Sequence, residues 1–156
     1  MLELNVPSRG LLRLEFLVLD LNGTIALDGE LLPGVRERIE KLRPILEPWL
    51  LSADTQGTLS ALAVSLGVGA KRLDPGDEAG QKLAFIEALG FDRVVACGNG
   101  ANDGMMLRKA ALGIAVMGHE GLATACLTAS DLIVPGIESA LDLLLFPRRL
   151  LATLRR

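Results

Sequence analysis

The chain has 156 residues and a formal net charge of −3; half of its residues are apolar and only 3% are aromatic. This length and apolar content suit one domain with one core, packed by Leu, Val, Ile and Ala. The acidic balance and the absence of an extended basic tract argue against nucleic acid as a partner.

The sequence also argues against export and membrane insertion. The N-terminal stretch MLELNVPSRGLLRLEF contains acids and no long apolar region, unlike a signal peptide. No apolar run approaches the roughly 18 residues that a membrane span needs. Cys97 and Cys126 are far apart and belong to no CxxC motif, so we expect neither a disulfide framework nor a zinc site. We expect a soluble, cytoplasmic protein.

Strand-like and helix-like segments alternate along the chain. The predicted strands cover 14–19, 49–51, 71–73, 93–97, 113–116 and 132–134. Predicted helices cover 35–42, 59–66, 82–89, 103–111 and 121–128, and a last one begins near 137 and is kinked or ended by Pro147. A short hairpin is predicted over 24–32, because Asp28-Gly29 accepts the positive φ angles of a tight turn. This alternation predicts a single α/β domain, a doubly wound parallel sheet covered by helices on both faces, with its core over about 11–146.

Polar residues follow three of the apolar strands, at Asp20, at Ser52 and in the loop 98–103. In open α/β sheets, ligands bind beyond the carboxyl ends of the strands. We therefore expect these three segments to form one site.

Asp20 opens the first of these segments, Asp20-Leu-Asn-Gly-Thr24. A strand-end Asp followed by an ordinary Asn-Gly turn is one interpretation. The segment also resembles the first motif of the haloacid-dehalogenase (HAD) superfamily, in which the Asp attacks a phosphoryl group and forms a phosphoaspartate. The resemblance implies that Asp20 is the nucleophile, that Gly23 lets the backbone approach the phosphate, and that Thr24 holds Asp20 in place.

Two further segments fit the same family. Trp49-Leu-Leu-Ser52-Ala-Asp54-Thr55 resembles the second HAD motif, in which a hydroxyl binds a phosphate oxygen. The alternative for Ser52 is a helix N-cap. Lys82 fits the lysine that neutralises the phosphoryl charge, and we place it at the start of its helix; a solvated helix lysine is the alternative.

The loop Gly98-Asn-Gly-Ala-Asn-Asp103 is the strongest match. P-type ATPases and related phosphatases carry Gly-Asp-Gly-x-Asn-Asp there, followed by an apolar helix and a Gly-Ile-Ala strand, which this chain has at 113–115. A Rossmann phosphate loop is the rival interpretation, but Asp103 stands where that motif needs its third glycine. The chain thus resembles a capless, soluble, P-type-ATPase-like HAD protein.

This resemblance implies an Mg²⁺ cofactor and a phosphorylated substrate that the sequence does not identify. The implied catalytic residues are Asp20, Asn22, Ser52 and Lys82. The implied phosphate-binding residues are Gly23, Thr24, Ser52, Ala53, Lys82 and Asn102, and the implied metal ligands are Asp20, Asn22, Asn99 and Asp103. The intervals between the motifs leave no room for a cap domain, as in capless HAD proteins that act on large substrates or close the site as homo-oligomers.

Two residues depart from the family pattern. HAD phosphatases usually have an acid at the position of Asn22 that protonates the leaving group and then activates water. An amide cannot shuttle a proton, so we expect slow turnover and a long-lived phosphoaspartate. Asn99 replaces an Asp that binds Mg²⁺, and we expect weak Mg²⁺ binding until phosphate joins. These losses leave open a second hypothesis, a non-catalytic or regulatory protein that keeps a phosphate or metal pocket.

Overall fold

The computed structural model describes residues 1–7, 9–54 and 57–155. The strands in the described chain are β1 (Leu2–Val6), β2 (Gly10–Leu14), β3 (Phe16–Asp20), β4 (Ala26–Leu27), β5 (Glu30–Leu31), β6 (Glu47–Ser52), β7 (Gly69–Arg72), β8 (Val94–Gly98), β9 (Leu112–Val116) and β10 (Leu132–Val134). The α-helices are α1 (Val35–Leu42), α2 (Thr58–Leu66), α3 (Glu78–Leu89), α4 (Gly104–Lys109), α5 (Thr124–Leu127), α6 (Ile137–Leu145) and α7 (Pro147–Leu154).

Six of these strands form one sheet in the order β10-β9-β8-β3-β6-β7, and every neighbouring pair is parallel. The chain runs outward from β3 through β6 to β7, then returns to β8 on the other side of β3. This reversal makes the space between the carboxyl ends of β3 and β8 the switch point at which α/β sheets bind ligands.

Helices cover both faces of the sheet, as predicted. Along β3, Leu17 and Leu19 contribute to one buried cluster and Val18 to another, because successive side chains of a strand point to opposite faces. Helices α1, α2, α6 and α7 and the β1–β2 hairpin pack on the first face. The second face is covered by α3, α4 and α5. The architecture is therefore a three-layer α/β sandwich.

The core reaches beyond the predicted bounds of 11–146. Leu4 and Val6 of β1 and Leu150 of α7 are buried in the first cluster. The antiparallel β1–β2 hairpin was not expected from the sequence. Pro147 ends α6 and begins α7, as predicted, because proline fits the first turn of a helix but not its interior.

Helix α3 begins four residues before its predicted start at Lys82, and that prediction was wrong. Asp77 caps α3, and its side chain accepts a hydrogen bond from the backbone N–H of Gly80 at 2.9 Å. Lys82 therefore lies in the second turn of α3, where its side chain is covered. Two predicted helices are also shorter in the structure, α4 and α5.

The β4–β5 hairpin is confirmed, with Asp28 (φ 51°) and Gly29 (φ 82°) at its turn. Between β3 and β6 the chain forms only this hairpin and α1. In the described part between β6 and α3 it forms only α2 and β7, so neither interval holds a cap domain. Within the described ranges, no helix combines the length and apolar character needed to cross a bilayer.

Candidate functional site

Three predicted motifs meet at one edge of the sheet. Asp20 is the last residue of β3, Ser52 ends β6, and Gly98 ends β8. Because these strands are parallel neighbours, their carboxyl ends lie side by side. The loop after β8 then forms a 3-10 turn over Ala101–Asp103 that leads into α4.

A buried lysine joins the two carboxylates of the site. The Lys82 ammonium donates hydrogen bonds of 2.6 Å to Oδ1 of Asp20 and 2.6 Å to Oδ1 of Asp103. Lys82 is only 1% exposed and Asp103 is fully buried. The close approach of the carboxylates at 20 and 103 is thus as predicted, and Lys82 is not a solvated helix lysine.

The electrostatic environment disfavours charge on Asp20. Burial away from water, with the nearby charge of Asp103, raises the pKa of Asp20 from its ordinary 3.8 to about 7, although Lys82 and Thr24 act in the opposite direction. Burial alone would lower the pKa of Lys82, but the charges of Asp20 and Asp103 outweigh it and raise that pKa. With two carboxylates and one ammonium, the cluster needs another cation for balance.

Asp103 fixes the loop after β8. Its Oδ2 accepts hydrogen bonds from the backbone N–H groups of Asn99 (3.0 Å) and Gly100 (2.9 Å). Gly98 makes room for it, since a Cβ at that position would lie 2.4 Å from Cγ of Asp103. Both Asp103 oxygens therefore already have donors. Its predicted role as a metal ligand stays a prediction, and these contacts favour a role in holding Lys82 and the loop.

Thr24 and Gly23 shape the segment after Asp20. The buried Thr24 hydroxyl lies 3.2 Å from Oδ2 of Asp20 and 3.2 Å from Oδ1 of Asn99, so its single proton can be donated to either. Gly23 has a φ of 78°, which favours glycine. The space of its missing Cβ is occupied by the Glu120 carboxylate (2.3 Å) and the Asn99 amide nitrogen (2.8 Å). The backbone angle and these contacts thus explain why position 23 is a glycine, without any contact to phosphate.

The oxygens around Asp20 fit a hard divalent cation. Oδ2 of Asp20 and Oδ1 of Asn99 flank the same hydroxyl, and the Asn99 amide nitrogen points away, donating to the carbonyl of Gly121 at 3.3 Å. Exposed Asn22 lines the same cavity. Such oxygen donors suit Mg²⁺. Over residues 1–7, 9–54 and 57–155, no three His, Cys, Asp or Glu side chains form a ready metal cluster.

Ser52 is not a helix N-cap. Its hydroxyl accepts a hydrogen bond from the Asp54 backbone N–H at 3.1 Å, and α2 begins only at Thr58. The Asp54 carboxylate instead accepts the Leu59 N–H at 2.7 Å, at the start of that helix. Ser52 and Ala53 both line the cavity, and Thr55 lies outside the described residues.

A cavity of about 840 Å³ opens at this edge of the sheet. Its lining includes the predicted residues Asp20, Asn22, Ser52, Ala53, Lys82, Asn99 and Asn102, whereas Gly23, Thr24 and Asp103 lie behind it. The Asn102 amide donates to Oε2 of Glu78, at the start of α3, at 2.6 Å. The phosphate-binding and catalytic roles of these residues remain predictions.

Sequence reasoning missed four acids that line the cavity: Asp28, Asp54, Glu78 and Glu120. They come from four different segments, and none belongs to a motif position to which we assigned a role. With Asp20 they give five carboxylates against the single ammonium of Lys82. The cavity is therefore strongly acidic.

Solved structures share this fold. A hydrolase of the HAD family from Streptomyces avermitilis has a TM-score of 0.63 and 24% identity, with 82% of this chain and 80% of that chain covered. The 3-deoxy-D-manno-octulosonate 8-phosphate phosphatase of Moraxella catarrhalis, solved with magnesium, phosphate and KDO, has a TM-score of 0.68 and 15% identity, with 91% and 94% covered. The catalytic domain of the CPx-ATPase CopB-B has a TM-score of 0.61 and 24% identity, with 73% and 45% covered. The chain thus has the capless HAD fold and resembles the catalytic domain of P-type ATPases.

Sequence relatives are consistent with this class, although no protein-family model matches the chain. The ATP-binding subunit of a potassium-transporting ATPase from Pseudomonas aeruginosa is 36% identical over 97 residues, 60% of this chain and 14% of that subunit. An uncharacterized protein of Methanocaldococcus jannaschii is 43% identical over 84 residues, 51% of this chain and 90% of that protein. A second one from the same organism is 54% identical over 39 residues, 25% of this chain and 89% of that protein. The chain belongs to one family with these two archaeal proteins.

Proposed function

We propose that the chain is a divalent-cation-dependent phosphohydrolase or phosphotransferase that works through a phosphoaspartate at Asp20. The observation that carries this proposal is the buried contact of Lys82 with Asp20 at 2.6 Å, at the switch point of an HAD fold. A lysine held there supports an anionic nucleophile and an incoming phosphoryl group. Asp20 needs such support because its surroundings disfavour its charge.

In the proposed reaction, a carboxylate oxygen of Asp20 forms a bond to phosphorus, and the bond from phosphorus to the leaving oxygen breaks. The leaving group takes its proton from water, since the amide of Asn22 is not an acid and cannot transfer a proton. Water then attacks the phosphoaspartate, releasing inorganic phosphate and regenerating the Asp20 carboxylate. Both steps proceed without a carboxylic acid at position 22, so we expect hydrolysis to be slow.

The other residues bind and orient the phosphate and the cation. The Ser52 hydroxyl and the Ala53 and Asn102 positions in the cavity wall would contact phosphate oxygens, and Lys82 would neutralise their charge. Asp20, Asn99 and Asn22 would hold a divalent cation such as Mg²⁺. When bound, that cation supplies positive charge that opposes the repulsion between phosphate and the carboxylates. Thr24 keeps Asp20 and Asn99 together from behind.

Beryllofluoride, which mimics a phosphoryl group on Asp, tests this proposal. We expect binding by calorimetry that needs Mg²⁺ and is lost in Asp20→Asn. Asp28→Asn, which removes an exposed carboxylate from the same cavity, should retain binding. The absence of Mg²⁺-dependent binding in the unaltered protein would overturn the proposal.

A second candidate is a non-catalytic protein that binds phosphate and a cation, and the amides at 22 and 99 favour it. Incubation with acetyl phosphate and Mg²⁺, followed by acid quenching and intact-mass measurement, separates the two. An enzyme with a slowly hydrolysed phosphoaspartate gains the mass of one phosphoryl group, which Asp20→Asn does not. A binding protein gains none.

A further inference from the structure

We propose that Glu120 belongs to the cation site and supplies the negative charge that the amides at 22 and 99 lack. This inference rests on the proposed function, because it concerns the divalent cation of that reaction. It assigns a role to a residue outside every sequence motif.

The backbone that carries Glu120 is fixed. Gly118 and Gly121 form a β-bridge, and the Gly121 N–H donates to the Gly118 carbonyl at 3.0 Å. A Cβ on Gly118 would lie 2.7 Å from the Gly23 carbonyl oxygen, so this turn lies directly against the segment after Asp20. The Asn99 carbonyl accepts the Ala123 N–H at 2.9 Å. The turn that carries Glu120 thus contacts both segments in which an amide stands where the HAD pattern has an acid, the segment after Asp20 and the loop after β8.

The Glu120 carboxylate lies between those two segments. Its Oε2 is 2.3 Å from the position that a Cβ on Gly23 would take, and the Asn99 amide nitrogen is 2.8 Å from the same point. Gly23 is the immediate neighbour of Asn22. A carboxylate from the loop after β9 therefore lies beside Gly23 and the Asn99 amide, and it lines the same cavity as Asp20 and Asn22.

The charge of Glu120 has no ion-pair partner within residues 1–7, 9–54 and 57–155. None of the described Lys, Arg or His side chains forms an ion pair with it. The cluster of Asp20, Asp103 and Lys82 carries one net negative charge, and Glu120 adds a second one beside Gly23 and the Asn99 amide. Since no ready cluster of three acids exists among the described residues, Glu120 acts mainly by its charge at this site.

Calorimetric titration with Mg²⁺ alone, without phosphate, tests the assignment. We expect Glu120→Gln to weaken Mg²⁺ binding roughly tenfold, because an uncompensated charge close to the ion is lost. Glu40→Gln, an exposed residue of α1, makes the same charge change outside the cavity and should leave the affinity unchanged. Asp28→Asn removes one negative charge inside the cavity, but on the β4–β5 turn, and should weaken Mg²⁺ binding by less than about threefold.

Rescue at position 99 gives the sharper test. If Glu120 stands in for the absent acid, Asn99→Asp in the Glu120→Gln background should restore Mg²⁺ affinity to at least that of the unaltered protein. Equal affinities for Glu120→Gln and Glu40→Gln, or equal losses in Glu120→Gln and Asp28→Asn, would overturn the inference.

Asp20→Asn distinguishes failure of this inference from failure of the proposed function. If Asp20→Asn abolishes Mg²⁺ binding and Glu120→Gln does not weaken it, only the role of Glu120 fails. If the unaltered protein binds no Mg²⁺, the inference and the cation dependence of the proposed function both fail.

Discussion

Lys82 contacts both Asp20 and Asp103, yet one ammonium cannot balance two buried carboxylates. The raised pKa of Asp20 expresses this imbalance. Such an imbalance lowers the stability of the folded chain and is common at functional sites.

Asp20→Asn should therefore stabilise the protein at alkaline pH. The pKa of Asp20 is higher in the folded chain (about 7) than its ordinary value of 3.8, so the folded state holds this proton more tightly. The contribution of Asp20 to stability is then lost as pH rises from about 4 to about 7. At about 1.4 kcal/mol per pH unit, reduced by the screening of water at the open cavity, we expect Asn to gain on the order of 2 kcal/mol at pH 8. Urea unfolding of both proteins in EDTA at pH 5 and pH 8 measures the difference, which should be clearly smaller at pH 5 than at pH 8. A gain that does not depend on pH would contradict this reasoning.

Asn22→Asp should accelerate hydrolysis of p-nitrophenyl phosphate. Asn22 is exposed in the cavity, where an acid could protonate the leaving oxygen and then activate water. General acid–base help of this kind is worth about 10²–10⁴-fold, and we expect a gain near the lower end, on the order of 10²-fold. Asn22→Ala, which adds no acid, is the matched comparison in a steady-state assay with Mg²⁺. An unchanged rate in Asn22→Asp would mean that a missing acid does not limit turnover.

At the scale of elements, the site depends on how closely the loop after β8 returns to the end of its own strand. Gly98 has no Cβ, and the Asp103 carboxylate fills that space. The same carboxylate then holds the backbone of residues 99 and 100. The end of β8, the 3-10 turn and the start of α4 are thus joined through one side chain.

Gly98→Ala should break this arrangement. The added methyl carbon would lie 2.4 Å from Cγ of Asp103, forcing the carboxylate off its backbone donors. We expect a loss of about 1–3 kcal/mol in unfolding free energy, together with weaker Mg²⁺ binding. Gly104→Ala is the matched control, since its nearest neighbours are 3.8 Å away and its backbone is helical. That variant should be neutral or slightly stabilising in the same urea titration. Equal effects of the two substitutions would show that the carboxylate can find another position.

At the scale of the whole molecule, the two ends of the chain belong to the core. Leu4 and Val6 of the N-terminal hairpin and Leu150 and Leu154 of α7 all lie in the cluster that covers one face of the sheet. Arg148 and Arg149 are exposed at the same time. The tail therefore covers the sheet with its leucines and leaves these arginines in water.

Leu150→Ala should destabilise the whole domain. Leu150 is fully buried, and truncation of such a leucine typically costs about 2–5 kcal/mol through lost burial and the cavity left behind. Thr153→Ala, an exposed position in the same helix, should change the stability by less than about 0.5 kcal/mol. Thermal unfolding with a single transition for both proteins measures this difference. A small effect of Leu150→Ala would indicate that α7 is only loosely attached to the core.

Predictions from sequence succeeded where the signal is local. The apolar run before Asp20, the Asp28-Gly29 turn and Pro147 each fix the backbone through their own chemistry. The start of α3 and the β1–β2 hairpin were missed, because an Asp cap and a hairpin of weakly patterned strands depend on contacts that a local pattern does not display. The motifs predicted that Asp20, Lys82 and Asp103 would meet, since motif residues at the ends of parallel strands share one edge.

The sequence by itself determined the layered α/β fold and the three segments that form the site, because hydrophobic periodicity and strand ends are written along the chain. Only the tertiary structure decided which charges surround that site. Asp28, Asp54, Glu78 and Glu120 come from separate loops, and their approach to one cavity follows from how those loops fold over the edge of the sheet. The space beside Gly23 that the Glu120 carboxylate fills is equally a product of packing, because it exists only where two distant turns come into contact.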